Sequence, residues 1–199
     1  NSALTLTFSP DGNQLLTVAS ATHPILHDLR PNGTARTLAG HTMATWSAVF
    51  SPDGATIATT SSDQTLRLLD ATTLQVKQIL RGHEHEIWCA AFTPDGKMLA
   101  TGGKDQQVML WAGGVRKPDH TLTNQGSIRP FFSPDGARIV TVGHPHSRAS
   151  SALRNPINGS LVNAIPGRRA MGFSSEGTQL VRWGRDARSL ELVALNSTN

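Results

Sequence analysis

The sequence predicts an all-β fold made of repeated four-stranded antiparallel sheets. This prediction rests on a recurring pentapeptide and on the segments that flank it. The pentapeptide Phe-Ser-Pro-Asp-Gly begins at Phe8 and recurs with small changes at Phe50, Phe92, Phe132 and Phe173. The steps between these phenylalanines are 42, 42, 40 and 41 residues. A period of about 41 residues is typical of a propeller blade, and helical repeats such as ankyrin are shorter, at about 33 to 34. The sequence therefore predicts a β-propeller with about five blades.

The strands of each blade follow in order from local sequence. Pro-Asp-Gly predicts a tight turn, because Pro presets φ, Asp caps the turn and Gly accepts a positive φ. Apolar segments on both sides, such as residues 46–50 and 56–60, make this turn the tip of a β-hairpin. A third strand is clearest at residues 65–70 and 107–111, and a weaker fourth segment leads into the next repeat. Three such fourth segments are residues 76–80, 120–122 and 161–165. We expect repeats at approximately 1–40, 41–82, 83–124, 125–165 and 166–199.

One repeat carries a further set of residues: Gly82-His83, an apolar strand, Asp105 in a turn, and Val108-Met109-Leu110-Trp111 at the end. This pattern resembles the WD-repeat β-propellers, although Ala112 replaces the Asp that would close the repeat. The resemblance is strong over residues 38–112 and fades towards the C-terminus. The regular spelling of the turns is similar to that of bacterial members, which are often tails of multidomain signalling proteins.

The number of predicted strands indicates whether the chain can close into a ring by itself. Five copies supply strands one to three, but only four segments between repeats supply a fourth strand. Propellers protect their edges by closing the ring. The family resemblance implies seven blades, which at about 41 residues each need roughly 290 residues. We therefore expect a segment of a seven-bladed ring, completed by further sequence or by another chain, with a closed five-bladed ring as the competing possibility.

The resemblance also implies a buried structural network in the well-formed repeats. In the family, the repeat's His and Asp join a Ser or Thr and the Trp through hydrogen bonds that tie strands together. The residues that match are His41, Ser61, Asp63, His83, Asp105 and Trp111. The same residues His41, Ser61 and Asp63 could be interpreted as a hydrolase triad. Recurrence once per blade and the lack of a Gly-x-Ser-x-Gly elbow favour the structural interpretation.

Other polar and aromatic residues invite a functional interpretation. His83-Glu-His-Glu86 contains metal-ligand types, as do His144 and His146 in the irregular fourth repeat, but we expect no metal and no cofactor. Trp46 and Trp88 each follow a Gly-His pair. Packing between neighbouring blades is the simpler expectation for them, and exposure at a partner-binding face is the alternative.

Composition narrows the function classes. The chain has 18 Lys+Arg and 14 Asp+Glu, a net charge of +4, and the single cysteine Cys89 excludes an intrachain disulfide and a cysteine-based zinc site. The basic excess lies in the C-terminal half. The candidates there for a patch that binds phosphate or an acidic partner are Arg168, Arg169, Arg182, Arg185 and Arg188. They are scattered without a Lys-rich run, so a solvated surface is favoured over a nucleic-acid site.

No catalytic constellation stands out, so we expect a protein that is not an enzyme. The leading hypothesis is a non-catalytic protein–protein interaction scaffold in the cytoplasm, within a larger multidomain protein or complex. By family analogy its partner-binding face consists of Thr42, Ala44, Ser62, Glu84, Glu86, Lys104 and Arg185. The alternatives are a propeller that senses a small ligand or metal, and binding of nucleic acid or anions through the basic half. No apolar run is long enough to span a bilayer.

Overall fold

A computed structural model describes residues 3–19, 23–113, 118–123, 127–143, 151–165, 170–183 and 189–195. These residues form strands without a helix, arranged in five antiparallel sheets. In every sheet, strands that are consecutive along the chain are also hydrogen-bonded neighbours. The described residues therefore form a β-propeller segment, as the repeat period predicts.

The strands have the following bounds. The first sheet contains β1 (Ala3–Phe8), β2 (Gln14–Ala19), β3 (Ile25–Asp28) and β4 (Ala35–Thr37). The second contains β5 (Thr45–Phe50), β6 (Thr56–Ser61), β7 (Thr65–Asp70) and β8 (Val76–Arg81). The third contains β9 (Ile87–Phe92), β10 (Met98–Gly103), β11 (Gln107–Ala112) and β12 (His120–Thr123). The fourth contains β13 (Ser127–Phe132), β14 (Ile139–Gly143), β15 (Ser151–Arg154) and β16 (Leu161–Ile165). The fifth contains β17 (Ala170–Phe173), β18 (Gln179–Trp183) and β19 (Leu190–Ala194).

The repeated pentapeptide closes the hairpin between the first two strands of each sheet. In the second sheet, Ser51 Oγ donates to Asp53 Oδ1, and the backbone N–H groups of Gly54 and Ala55 donate to Ser51 O (2.9 Å) and Asp53 Oδ1 (3.0 Å). Gly54 has φ +71°, in the left-handed region that favours glycine. The turn chemistry therefore explains why the same residues recur.

Apolar side chains pack between consecutive sheets. Leu16 and Val18 of the first sheet share a core cluster with Ile57 and Leu69 of the second. Comparable clusters join the second sheet to the third, the third to the fourth, and the fourth to the fifth. Each sheet between two others is thus apolar on both faces, which is what radial packing of blades requires.

The first strands of the five sheets surround one central channel. Its wall includes Phe8, Phe50, Phe92, Phe132 and Phe173, and the cavity volume there is about 530 Å³. Because both the first and the fifth sheet contribute to this wall, the sheets follow one another around the channel rather than in a flat stack.

The ring is open within the described residues. Phe8 is 62% exposed, whereas its repeat equivalent Phe50 is 8% exposed. At the other end, Leu192 is 64% exposed, whereas its equivalent in the fourth sheet, Leu153, is 3% exposed. The first and fifth sheets therefore do not cover each other, and the closed five-bladed ring is not formed by the residues that the structure describes.

Candidate interaction face

A buried hydrogen-bonded network ties together the loop end of the second sheet. His41 Nδ1 lies 2.8 Å from Asp63 Oδ2, and His41 Nε2 lies 2.8 Å from Thr59 Oγ1. Thr65 Oγ1 donates to Asp63 Oδ1 at 2.6 Å, and the backbone N–H of Thr42 donates to Asp63 Oδ2 at 3.1 Å. Three segments, the loop before β5, the turn after β6 and the start of β7, are thereby joined through one carboxylate.

The third sheet repeats this arrangement and adds the Trp. His83 lies 2.7 Å from Asp105 Oδ2 through Nδ1 and 2.8 Å from Thr101 Oγ1 through Nε2. Trp111 Nε1–H donates to the same Thr101 hydroxyl at 2.9 Å. Leu69 stands at the Trp position of the second sheet, so that network lacks this donor.

The carboxylates of both networks are held ionised. Burial alone would raise the pKa of Asp63, but hydrogen bonds from Thr65, His41 and the Thr42 backbone outweigh burial and lower the pKa to about 2. Burial would likewise raise the pKa of Asp105, and the His83 hydrogen bond helps to lower it. Burial lowers the pKa of His41, so its ring is neutral at pH 7. Its Nδ1–H then donates to Asp63, and its Nε2 accepts from the Thr59 hydroxyl.

One residue expected in the network makes different contacts. The hydroxyl that contacts His41 belongs to Thr59, not to Ser61. Ser61 Oγ donates to Ala44 O at 2.8 Å and accepts from the Asp63 backbone N–H at 3.1 Å. Thr59 and Ser61 are two residues apart on β6, and the hydroxyl of Ser61, at the end of the strand, bonds the loop before β5 instead of the His41 ring. Sequence spacing could have identified Thr59, because Thr101 holds the same position 42 residues later.

These networks do not provide a catalytic or metal-binding arrangement. The triad interpretation fails because the hydroxyl beside His41 is that of Thr59, which is 1% exposed and lies between two sheets. His83 uses both ring nitrogens within its network, so it is not free to bind a metal. Among the described residues, no group of three or more His, Cys, Asp or Glu side chains is arranged to hold a metal ion. Burial raises the pKa of the Cys89 thiol to about 12, which makes it a poor nucleophile.

The networks position the loops above them at the end of the sheets opposite the Pro-Asp-Gly turns. In the second sheet, the Ser62 backbone N–H donates to Ala44 O at 2.9 Å, and Trp46 Nε1–H donates to Ser62 Oγ at 2.7 Å. Met43 is the most exposed large apolar side chain of this loop, at 59%. The loop before β5 and the turn after β6 thus form one surface.

The equivalent surface of the third sheet carries charge. The Lys104 backbone N–H donates to Glu86 O at 2.9 Å, and Lys104 Nζ lies 3.3 Å from Glu86 Oε1. Trp88 Nε1–H donates to the other carboxylate oxygen of Glu86 at 3.1 Å, and Glu84 is exposed beside them. Trp46 and Trp88 are both half-buried, and the indole N–H of each donates to a polar loop residue, Ser62 or Glu86.

We call these two surfaces together the loop face. It consists of Thr42, Met43, Ala44, Trp46, Ser62, Glu84, Glu86, Trp88 and Lys104. Six of the seven residues expected on the partner-binding face lie here, and the seventh, Arg185, lies outside the described residues. Met43 was not expected from sequence, and its apolar character in a loop otherwise made of polar and small residues is the signal that could have identified it.

Several other residues singled out from sequence lie outside the described part of the chain. They are His144, His146, Arg168, Arg169 and Arg188. Arg182 is described, and its guanidinium pairs with Glu191 at 2.9 Å. A basic patch in the C-terminal half therefore remains an expectation from sequence.

Comparison with known families agrees with the repeat architecture. The model of the WD domain, G-beta repeat, matches residues 33–70 and 74–112. These matches support a WD-repeat protein, and WD40 repeats generally mediate protein–protein interaction or scaffolding. No curated protein matches the chain by sequence. The described residues include no helix that is long and apolar enough to cross a membrane.

Proposed function

We propose that this WD-repeat chain is a non-catalytic scaffold that binds a protein partner through the loop face. The observation that supports the proposal is the pairing of rigidly held loops with exposed binding groups. Buried His–Asp networks fix the loops from below, while Met43, Glu84 and Lys104 remain exposed above them. Pre-ordered loops lose little conformational entropy on binding, which favours affinity.

The chemistry of the loop face suits a partner with both apolar and charged groups. Met43 and the half-buried Trp46 and Trp88 supply polarisable and aromatic surface, which is enriched at protein interfaces. The Glu86 carboxylate is already paired with Lys104 and Trp88, whereas Glu84 uses only its backbone N–H in the network. We expect apolar contacts at Met43 and a basic partner group near Glu84.

The proposal is tested by substituting three exposed loop-face residues together. Met43→Glu, Glu84→Lys and Lys104→Glu should abolish capture of the native partner from a cell extract, with the captured protein identified by mass spectrometry. The melting temperature should stay close to that of the parent chain, because none of these side chains is buried.

A matched control lies at the opposite end of the sheets. Lys97→Glu with Ile157→Glu changes two exposed residues near the Pro-Asp-Gly turns. This variant should capture the partner as the parent does. Equal capture by the loop-face triple variant would show that the partner binds elsewhere.

We further infer a cytoplasmic protein of bacterial type that forms part of a larger signalling polypeptide or complex. The support is the resemblance of the regular Phe-Ser-Pro-Asp-Gly spelling to bacterial WD-repeat proteins. The test is fractionation of native cells followed by detection with an antibody to the chain. Recovery in the cytoplasmic fraction, in a species much larger than 21.3 kDa, is the expected result, and recovery as a free 21.3 kDa species would contradict it.

A further inference from the structure

A groove lies between the third and fourth sheets, at the end of the sheets that carries the Pro-Asp-Gly turns. Its cavity volume is about 640 Å³. One wall comes from the turn after β9 and the end of β11, and the other wall comes from the turns after β13 and β15. The loop face lies at the opposite end of the sheets, so the groove is separate from the site of the proposed function.

Three side chains that line this groove are apolar at positions where other sheets have polar residues. They are Met98, Ala112 and Ile157. The residues equivalent to Met98 in the other four sheets are Gln14, Thr56, Arg138 and Gln179. The first, second and fourth sheets have at the position of Ala112 the residues Asp28, Asp70 and Asn155. The first and second sheets have at the position of Ile157 the residues Arg30 and Thr72. The three apolar replacements therefore meet at one place.

Hydrogen bonds confirm that these positions are equivalent. Asp70 Oδ1 accepts from the backbone N–H of Thr72 at 2.9 Å. Asn155 Oδ1 accepts in the same way from the backbone N–H of Ile157 at 2.8 Å. Ala112 has no side-chain oxygen with which to cap its turn. Its methyl group lines the groove at the position where the other sheets have a polar capping side chain.

The apolar side chains of the groove belong to ordered parts of the chain. Ile157 is 74% exposed, more than any other large apolar side chain that the structure describes. The residue before it, Pro156, is buried, so the turn that carries Ile157 is held against the sheet. Met98 is half-buried and packs against the apolar cluster between the third and fourth sheets. An exposed apolar side chain on a fixed turn beside such a groove is typical of an interaction site.

The charges at the rim favour a basic group in the occupant. Asp135 Oδ1 accepts from Ser133 Oγ and from the Ala137 backbone N–H, and these hydrogen bonds lower the pKa of Asp135. Asp135 has no salt-bridge partner within the part of the chain that the structure describes. Asp95 lies 3.5 Å from Lys97 Nζ, and both side chains are more than half exposed, so this pair is weak. The rim thus has an ionised carboxylate that is available to a cation.

We propose that this groove binds a short segment of a partner protein that carries an apolar side chain within three positions of a Lys or Arg. The apolar side chain packs between Met98 and Ile157, above Ala112, and the cation pairs with Asp135. The replacement of three polar residues by apolar ones supports the first contact, and charge complementarity supports the second. An acidic segment is disfavoured, because it would lie between Asp95 and Asp135.

The test is a selection from a phage library of random dodecapeptides on the immobilised full chain. An excess of the soluble Ile157→Ser variant is present as a competitor. Peptides that bind elsewhere, the loop face included, are removed by this competitor, and peptides that need the groove survive. The melting temperature of Ile157→Ser should equal that of the parent chain, because the replaced side chain is exposed.

We expect the surviving peptides to share an apolar residue within three positions of a Lys or Arg. In fluorescence anisotropy they should bind Ile157→Ser about tenfold more weakly than the parent chain. Asp135→Asn keeps an oxygen for the turn but loses the charge, and it should weaken binding by about two- to fivefold. Lys97→Ala should strengthen binding, because it removes a like charge from the rim.

Two controls separate the groove from other surfaces. Leu29→Ser changes a side chain that is 48% exposed in the corresponding turn of the first sheet, and this variant should bind the peptides as the parent does. The loop-face triple variant should also bind them as the parent does, whatever the result of its partner capture. An absence of surviving peptides, survivors with acidic residues in place of basic ones, or a loss of binding in either control would overturn the proposal.

Discussion

At the scale of the residue, Thr59 and Thr60 allow the contribution of one buried hydroxyl to the stability of the protein to be measured. Its Oγ1 contacts the His41 ring, while the neighbouring Thr60 Oγ1 is buried and has no hydrogen-bond partner. The two residues have the same side chain, the same strand and nearly the same burial. They therefore separate the effect of the hydrogen bond from the effect of burial.

Thr59→Val should destabilise the protein by about 1–3 kcal/mol, because it leaves the buried His41 nitrogen without its donor. Thr60→Val should be neutral or slightly stabilising, because it removes a polar group that has no partner. Urea denaturation of both variants measures the difference. Equal free energies of unfolding for the two variants would mean that the network contributes no stability.

His41 predicts a dependence of stability on pH. Burial lowers the pKa of His41 in the folded protein, so below about pH 6.5 the unfolded chain binds a proton that the folded chain does not. The contribution of His41 is therefore present above about pH 6.5 and is lost as the pH falls towards its folded pKa. Asp63 adds a second loss from about pH 4 down to about pH 2, because its folded pKa is about 2.

The measurement is the free energy of unfolding at pH 7 and at pH 5 for the parent chain and for His41→Gln. The parent should lose more stability over this interval than the variant, which has no titrating ring at that position. A variant with the same loss as the parent would show that other groups cause the pH dependence.

At the scale of the strand and turn, the backbone conformation of the Pro-Asp-Gly hairpin explains why its last residue is glycine. Gly54 has φ +71°, and a Cβ added there would lie 3.5 Å from Pro10 Cδ, an ordinary contact. The cost of a side chain at this position is therefore backbone strain rather than a clash. The same φ, between +70° and +72°, occurs at the corresponding glycine of all five turns.

Gly54→Ala should destabilise the protein by about 1–2 kcal/mol. Gly113→Ala is the matched control, because Gly113 does not have a positive φ and its nearest neighbour would lie 3.9 Å from the new Cβ. The control should be neutral or slightly stabilising in thermal denaturation. A neutral Gly54→Ala would show that the turn relaxes to another type without cost.

At the scale of the whole molecule, Phe8 and Phe50 hold equivalent positions in the repeat but differ in burial, because no sheet of the described residues covers Phe8. Phe50→Ala should cost about 3–5 kcal/mol, as is usual for a buried aromatic residue. Phe8→Ala should cost about 1 kcal/mol or less, because little of its surface is buried in the chain by itself. Denaturation of both variants measures this, and similar large costs would indicate a closed five-bladed ring.

Local sequence was enough to place the strands and the candidate loops. Third strands expected at residues 65–70 and 107–111 correspond to Thr65–Asp70 and Gln107–Ala112, because turn residues and apolar alternation act over a few positions. The resemblance to WD-repeat proteins implies the pairing of His41 with Asp63 and of His83 with Asp105, and both pairs are present in the structure. The same pairing occurs in two successive repeats because both have His and Asp at the same positions.

The sequence by itself determined the all-β repeat, its turns and the residues available for the loop face. Only the tertiary structure decided that the Ser61 hydroxyl donates to Ala44 O and not to His41, because this contact depends on the path that the loop before β5 takes beside β6. It also decided that Phe8 and Leu192 are exposed while Phe50 and Leu153 are buried. Repeated positions have the same local sequence preferences, and only the presence or absence of a neighbouring sheet separates them.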